Sequence, residues 1–252
     1  MNLLKKLIAL LTLLPALALA SEEGYPLDHS PERTNDLAAL QHGAKLFVNY
    51  CLNCHAASSM RYNRLRDIGL TEDQIKANLL FTTDKVGGLM TVAMTPKDGK
   101  EWFGAAPPDL SVIARAMASE SGTGPDWLYT YMRTFYKDDS RPTGWNNMVF
   151  PNVGMPHVFW ELQGTQNAVY TDEKDAEGKV EHKFDHFEMI KPGKLSKLEY
   201  DTSVADLVGY LEWMGEPTQG LRHQLGVWVL LFLGVLVVLT WRLNASYWKE
   251  VK

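Results

Sequence analysis

Cysteine is scarce in this chain, with only two among 252 residues, so a fold held by several disulfides is excluded. Neither sign of charge is in large excess: 25 lysines and arginines against 30 acidic residues leave a net charge of −5. Nucleic acid is therefore not expected as a partner. The mean hydropathy of −0.19 excludes a polytopic membrane protein. The content of 46% hydrophobic and 22% charged residues predicts a folded chain.

The first twenty residues have the pattern of a targeting segment. Lys5 and Lys6 precede a short apolar run over residues 7–14, and Ala18-Leu19-Ala20 forms a small-x-small cleavage site. The run is too short to span a bilayer, which argues against an N-terminal anchor. We therefore predict that residues 1–20 are a cleaved secretory signal peptide and that the mature chain is exported.

A second apolar segment lies near the C-terminus. No charged residue stands between Arg222 and Arg242, which leaves nineteen uncharged positions with His223 taken as neutral. At about 1.5 Å per residue they match a hydrocarbon core of roughly 30 Å. No polar face interrupts the run, so a buried helix of a soluble protein is disfavoured. Residues 222–242 are predicted to form one transmembrane helix.

The charges around this segment predict its orientation. One basic residue precedes it and three follow it: Arg222 against Arg242, Lys249 and Lys252. The positive-inside rule places residues 243–252 in the cytoplasm of a bacterial cell and residues 21–221, the head, in the periplasm. Six basic residues and one acidic residue lie outside the head, which leaves 19 against 29 and a charge near −10. This negative charge has two interpretations: it attracts a basic partner, or it serves only to keep the head soluble.

Local patterns predict a mainly helical head with one small hairpin. Extended segments are expected at residues 167–171 and 180–190, and a long ordered loop at residues 137–166. A hinge is expected at residues 217–220, before the apolar segment. Helix starts are predicted at Thr34, at the Thr71 capping box, at Asp109 for a helix over 110–119, at Gly124-Pro125, and at Thr202 or Ser203.

Both cysteines lie in one motif, Cys51-Leu-Asn-Cys54-His55. This C-x-x-C-H pattern is typical of covalent haem attachment, in which each sulfur forms a thioether with a haem vinyl group and the histidine ligates the iron. A thioredoxin-type centre would need a surrounding βαβ pattern. A zinc site would need further ligands, and a structural disulfide would close a very short loop. Haem attachment is the favoured interpretation.

The sixth iron ligand distinguishes an electron carrier from an open-site enzyme or sensor. Met155 lies in a Gly-Met-Pro sequence, where Gly154 permits close backbone approach and Pro156 restricts the loop. Met117 and Met132 fall on predicted helices and are expected to fill the core. Local chemistry alone leaves Met155 in competition with Met148, Met90, Met94 and His157.

The chain resembles the cytochrome c1 family over essentially the whole mature sequence. The resemblance is carried by the haem motif with Ser59-Met-Arg-Tyr62, by Ala106-Pro-Pro-Asp-Leu-Ser111, by the loop from Pro151 to Pro156, and by the C-terminal anchor. It implies a cytochrome c-like helical haem domain with long loop insertions. It also implies that Met155 is the sixth ligand and that Pro107 and Pro108 lie along the haem edge.

The same resemblance implies a function. One haem c would take single electrons from the Rieske iron–sulfur protein and pass them to cytochrome c. The chain would act with cytochrome b in a dimeric, lipid-embedded bc1 complex of the respiratory chain. The subunit itself would need no catalytic group, and ubiquinol oxidation would belong to the complex. Two alternatives stay open. One is a c-type subunit of a haem–copper oxidase, a class whose members typically resemble a haem domain with an N-terminal anchor. The other is an anchored monohaem peroxidase or sensor.

Two positions depart from the family pattern. The family often has Ala-Arg after the Pro-Pro-Asp-Leu-Ser segment, and this arginine serves a haem propionate. Here Ala116 is followed by Met117, and the nearest arginine is Arg115. The family loop commonly reads Gly-Met-x-Pro-Pro, whereas Pro156-His157 follows the methionine here.

Overall fold

The computed structural model describes residues 24–174 and 180–250. The predicted mainly helical fold is confirmed. The helices are α1 (Leu37–Leu46), α2 (Glu72–Asn78), α3 (Pro96–Phe103), α4 (Ile113–Ala116), α5 (Gly124–Arg133), α6 (Trp160–Gln163), α7 (Lys197–Gly215) and α8 (Gln219–Tyr247). A π-helical turn, Phe47–Cys51, extends α1, and 3-10 turns cover Tyr62–Ile68 and Trp248–Glu250.

Six strands among the described residues form three antiparallel pairs. β1 (Ala57–Arg61) pairs with β2 (Leu89–Met90), and β3 (Phe135–Lys137) pairs with β4 (Trp145–Asn147). β5 (Gly164–Lys174) pairs with β6 (Val180–Pro192) over their whole length. The expected hairpin is confirmed, but its strands have 11 and 13 residues and are longer than predicted.

The core is built on the crossing of α1 and α7. A Cβ at Gly43 would lie 2.1 Å from the carbonyl oxygen of Asp206, so only glycine permits this approach. The rings of Phe47 and Tyr210 meet beside the crossing, with centroids 5.6 Å apart, and both residues are fully buried. The crossing places the end of α1, which leads into Cys51, against the middle of α7.

Two predicted helix starts are confirmed. The Thr71 hydroxyl accepts the backbone N–H of Gln74, and the Gln74 side chain accepts the backbone N–H of Thr71. Gly124-Pro125 begins α5, which Thr123 and Asp126 cap in the same reciprocal way. In both cases the side chains satisfy N–H groups that have no partner inside the helix.

Two other predicted starts are wrong. α1 is capped by Asp36 rather than Thr34, because the Asp36 carboxylate accepts the N–H groups of Ala38 and Ala39. α7 begins after Ser196, well before the predicted Thr202 or Ser203. Those two residues lie inside the helix, where their hydroxyl groups donate to carbonyl oxygens four residues earlier.

The region after Pro107 is less helical than predicted. The expected helix over 110–119 is only the four-residue α4, because the Asp109 carboxylate accepts the Ser111 N–H in a turn before it. Pro96 begins α3, with Thr95 as its cap. The predicted loop at 137–166 contains β4, α6 and the start of β5.

The helix α8 is long and apolar enough to cross a membrane, and none of its residues is buried. It extends beyond the predicted span of 222–242 at both ends. The hinge is shorter than predicted, since α7 ends at Gly215 and α8 begins at Gln219. The predicted signal peptide at residues 1–20 lies outside the described residues.

Candidate functional site

One apolar cavity of about 360 Å³ gathers every site residue predicted from the sequence. Its walls come from the turn after α1, the segment before α4, helix α5, the Met155 loop and the middle of α7. The predicted residues on its walls are Cys51, Cys54, His55, Pro107, Pro108 and Met155. A mostly apolar cavity with a few polar donors is the usual form of a cofactor site.

The haem motif is held in a compact turn. The N–H groups of Cys54 and His55 both donate to the carbonyl oxygen of Cys51, at 3.0 and 2.8 Å. Neither cysteine is in a disulfide. This turn keeps both thiols at the wall of one cavity, as attachment to two vinyl groups of one macrocycle requires.

The electrostatics of the two thiols argue against a redox-active C-x-x-C centre. Burial raises the pKa of Cys51 to about 12, and the neighbouring Cys54 adds to this shift. Burial also raises the pKa of Cys54. Redox-active pairs lower the thiol pKa instead. No group of three His, Cys, Asp or Glu residues able to hold a metal occurs within residues 24–174 and 180–250.

His55 is oriented by the segment that follows Pro107. Its Nδ1 lies 2.8 Å from the carbonyl oxygen of Pro108. A carbonyl can only accept, so Nδ1 carries the proton and Nε2 is left with a free lone pair for a metal. Burial lowers the pKa of His55, and the contacts with Pro108 and Asp109 partly oppose this shift. A neutral imidazole with one free nitrogen is the form that binds iron.

The segment carrying Pro107 and Pro108 is fastened to β1. Asp109 accepts hydrogen bonds from the backbone and hydroxyl of Ser58, at 2.8 and 2.6 Å, and from the N–H of Ser111. Burial opposes ionisation of Asp109, but these hydrogen bonds outweigh it and lower its pKa. The Leu110 N–H also donates to the Ala56 carbonyl oxygen. The carbonyl that orients His55 is thereby held in place.

Met155 reaches the cavity on a loop with close backbone packing. A Cβ at Gly154 would lie 2.7 Å from the Phe103 carbonyl oxygen. Asn152 has a φ of 63° and is held by Arg141, whose guanidinium donates to its side-chain and backbone oxygens. The hydroxyl of Tyr131 lies 3.4 Å from the Met155 sulfur and donates to it.

The competing ligands are distributed differently. Met90, Met94, Met148 and His157 do not line the cavity as the described residues form it. The sulfurs of Met148 and Met90 face the hydroxyls of Tyr170 and Tyr210, at 3.6 and 3.9 Å. Met117 and Met132, which were expected only to fill the core, do line it beside Met155. The cavity therefore offers three methionines: Met132 lies on α5, Met117 in the turn after α4 and Met155 on a loop.

Two residues that line the cavity, Trp127 and Tyr131, were not predicted as site residues from the sequence. Trp127 and Tyr131 line it from α5, where their spacing of four residues places both on one face of the helix. That spacing was visible in the sequence but predicted only a helix. Arg115, the arginine nearest to the family's propionate position, lines a separate cavity with Glu212 and Glu216 instead.

The donor set fits a haem c. Two unpaired thiols, an imidazole with one free nitrogen and a thioether line an apolar space of suitable character. Thiols add to vinyl groups, and imidazole and thioether are the axial ligands of electron-carrying cytochromes.

The chain is similar to known proteins over most of its length. Residues 28–87 match the model of the Cytochrome C1 family. The chain is 45% identical to the cytochrome c1 of Allochromatium vinosum, over 98% of this chain and 100% of that protein. It is also 45% identical to a Nitrosomonas europaea protein named ammonia monooxygenase gamma subunit, over 100% of both. The cytochrome c1 of Rhodospirillum rubrum is 28% identical over 86% of this chain and 83% of that protein.

Proposed function

Because the chain belongs to the cytochrome c1 family, we propose that its cavity residues divide the binding of one haem c among them. The protein carries a single covalent haem c and is the haem subunit of a bc1 complex, with cytochrome b and the Rieske protein as partners. In our proposal Cys51 and Cys54 form the thioethers, and His55 and Met155 ligate the iron. Pro107 and Pro108 lie along the haem edge.

The observation that carries this assignment is the shared cavity. All six residues line it, although Met155 is 100 positions from His55 in the sequence. The bound haem supplies reversible one-electron chemistry. The chain's own residues attach and orient it: the Pro108 carbonyl holds the imidazole proton at Nδ1, and apolar side chains exclude water.

We propose that electrons enter from the Rieske protein and leave to a cytochrome c. The test is purification of the tagged chain in mild detergent, followed by addition of ubiquinol. Cytochrome b and the Rieske protein should co-purify, and the haem c should be reduced in one turnover. An inhibitor of quinol oxidation should block this reduction. Co-purification with the subunits of a monooxygenase or a haem–copper oxidase instead would overturn the proposal.

We propose the following topology. Residues 1–20 are the cleaved signal, residues 21–221 form the periplasmic haem domain, residues 222–242 span the bacterial inner membrane among its lipids, and residues 243–252 are cytoplasmic. The exposed apolar helix α8 and the basic residues after it support this arrangement. Protease added to intact spheroplasts should remove the head. Protection of the head in spheroplasts would contradict the orientation.

The head's charge near −10 supports a basic cytochrome c as acceptor. Fast turnover needs an interface that binds weakly and partners that meet rapidly. Long-range charge attraction speeds the encounter without requiring a tight interface. The rate of transfer to a basic acceptor should fall steeply between about 0.01 and 0.15 M salt, because the Debye length shrinks from roughly 30 to 8 Å. A flat dependence would exclude charge steering.

Sedimentation of the purified complex would test the proposed dimer.

A further inference from the structure

We infer that Tyr131 tunes the redox potential by donating its hydroxyl hydrogen bond to the sulfur of Met155. The inference rests on the proposed function, since it takes Met155 as an iron ligand. Tyr131 does not bind the iron in this scheme. It is a positioning and tuning residue that acts through the ligand.

The contact is directional. The Tyr131 hydroxyl oxygen is 3.4 Å from the Met155 sulfur, and a thioether has no proton, so the tyrosine must donate. Within the described residues this sulfur is the hydroxyl's only hydrogen-bond partner. The ring is buried, with 8% of the residue exposed. Water therefore has little access to compete for the hydroxyl.

The ring is clamped by its neighbours. Trp127 stacks on Tyr131 at 4.8 Å between centroids and 14° between planes, and Phe135 meets it edge-on at 5.0 Å. Phe135 in turn stacks on His157 at 4.9 Å. Since His157 is two residues from Met155, one aromatic column contacts both the donor and the acceptor loop. The hydrogen bond is thus supported from both ends.

The expected electronic effect follows from the sulfur's lone pairs. A thioether has two, and iron uses one, which leaves the other to accept the hydroxyl proton. This hydrogen bond withdraws electron density from the sulfur and weakens its donation to iron. A thioether raises the potential because it is a weak donor, which suits ferrous iron better than ferric iron. The hydrogen bond makes it a still weaker donor and so favours the reduced state further. Hydrogen bonds to ligand atoms are an established way in which proteins adjust metal centres.

The test is Tyr131→Phe in the full-length, haem-loaded chain, read by equilibrium redox titration. The equilibrium constant for reduction should fall on the order of threefold, which is about 30 mV at 59 mV per decade. The far-red absorption of the thioether–ferric bond should remain. Added imidazole should displace Met155 from ferric iron several-fold less readily. An unchanged or higher potential, or loss of the far-red band, would overturn the inference.

The control is Tyr210→Phe. Tyr210 is fully buried, and its hydroxyl lies 3.9 Å from the sulfur of Met90, which is outside the cavity. This variant removes the same atom from another buried tyrosine near a sulfur that is not a proposed ligand, so the potential should stay unchanged. An equal shift in both variants would mean that the effect comes from general loosening of the core.

Failure of the proposed function gives a different result. If Met155→Leu kept the far-red band, Met155 would not be the ligand and the premise itself would fail. If Met155→Leu removed the band, the effect of Tyr131→Phe on the potential should vanish in the double variant. An undiminished effect in that background would show that Tyr131 acts by a route other than the sulfur.

Discussion

The two walls of the cavity are built in opposite ways. The proximal wall, Cys51, Cys54 and His55, lies within five consecutive residues and is held by two short backbone hydrogen bonds to Cys51. The distal wall consists of Tyr131 on helix α5 and Met155 on a loop 24 residues later in the chain. One wall is local in sequence, and the other exists only after the chain has folded.

The supports of the two walls differ accordingly. The proximal wall needs one distant contact, the Pro108 carbonyl at His55 Nδ1. The distal loop depends on several: the Asn147 side chain donates to the Tyr131 carbonyl, Arg141 holds Asn152, and Gly154 packs on the Phe103 carbonyl. Covalent attachment can therefore be read from a motif, whereas the sixth ligand depends on packing that a motif does not encode.

The largest expected effect is on the proximal wall. Replacing both Cys51 and Cys54 by alanine should abolish covalent attachment, because no other cysteine exists. Acid acetone should then extract all remaining haem, whereas the haem of the unaltered protein should stay with the polypeptide. Haem that stayed attached to the double variant would contradict the assignment.

The next effect breaks the distal wall alone. Met155→Leu should keep the covalent haem but lower the potential strongly and let carbon monoxide bind, because the thioether that favours ferrous iron and closes the site is lost. Redox titration and carbon monoxide difference spectra measure this. Met148→Leu, outside the cavity, is the matched control, and Met117→Leu and Met132→Leu test the other two cavity methionines. A shift confined to one of these variants would identify a different ligand.

A smaller effect should follow from tightening the distal loop. Gly154→Ala places a Cβ 2.7 Å from the Phe103 carbonyl oxygen, so backbone must move. We expect a loss of about 1–3 kcal/mol in the free energy of unfolding, measured by urea denaturation, and a weaker far-red band. Gly87→Ala is the control, since no atom lies within 4 Å of its added Cβ. Equal stability of the two variants would refute close packing at Gly154.

The smallest effect concerns the distant support of the proximal wall. Hydrogen bonds from Ser111 and Ser58 outweigh burial and lower the pKa of Asp109 in the folded state. Its ionised form therefore stabilises the fold above the unfolded pKa of about 3.9, and this contribution is lost as pH falls through the lower folded pKa. Asp109→Asn should cost about 1 kcal/mol near neutral pH. Urea unfolding at several pH values should show this difference vanish in acid, and a constant difference would contradict it.

Sequence patterns predicted helix starts where the capping residues were unambiguous. The Thr71 capping box and Gly124-Pro125 are confirmed. The helix starts predicted at Thr34 and at Thr202 or Ser203 are wrong. Other polar residues nearby, Asp36 and Ser196, make the capping hydrogen bonds instead. Several residues in each stretch could cap a helix. Local patterns do not distinguish among them.

What the sequence by itself determined is the chemistry whose parts are adjacent in the chain. The C-x-x-C-H turn and the uncharged segment that became α8 needed only neighbouring residues. The tertiary structure decided which methionine lies beside Tyr131, which carbonyl orients His55, and that Arg115 lines a different cavity. The physical reason is distance along the chain. Bonds within a turn follow from local geometry, whereas contacts between residues tens of positions apart depend on how the helices pack around a common core.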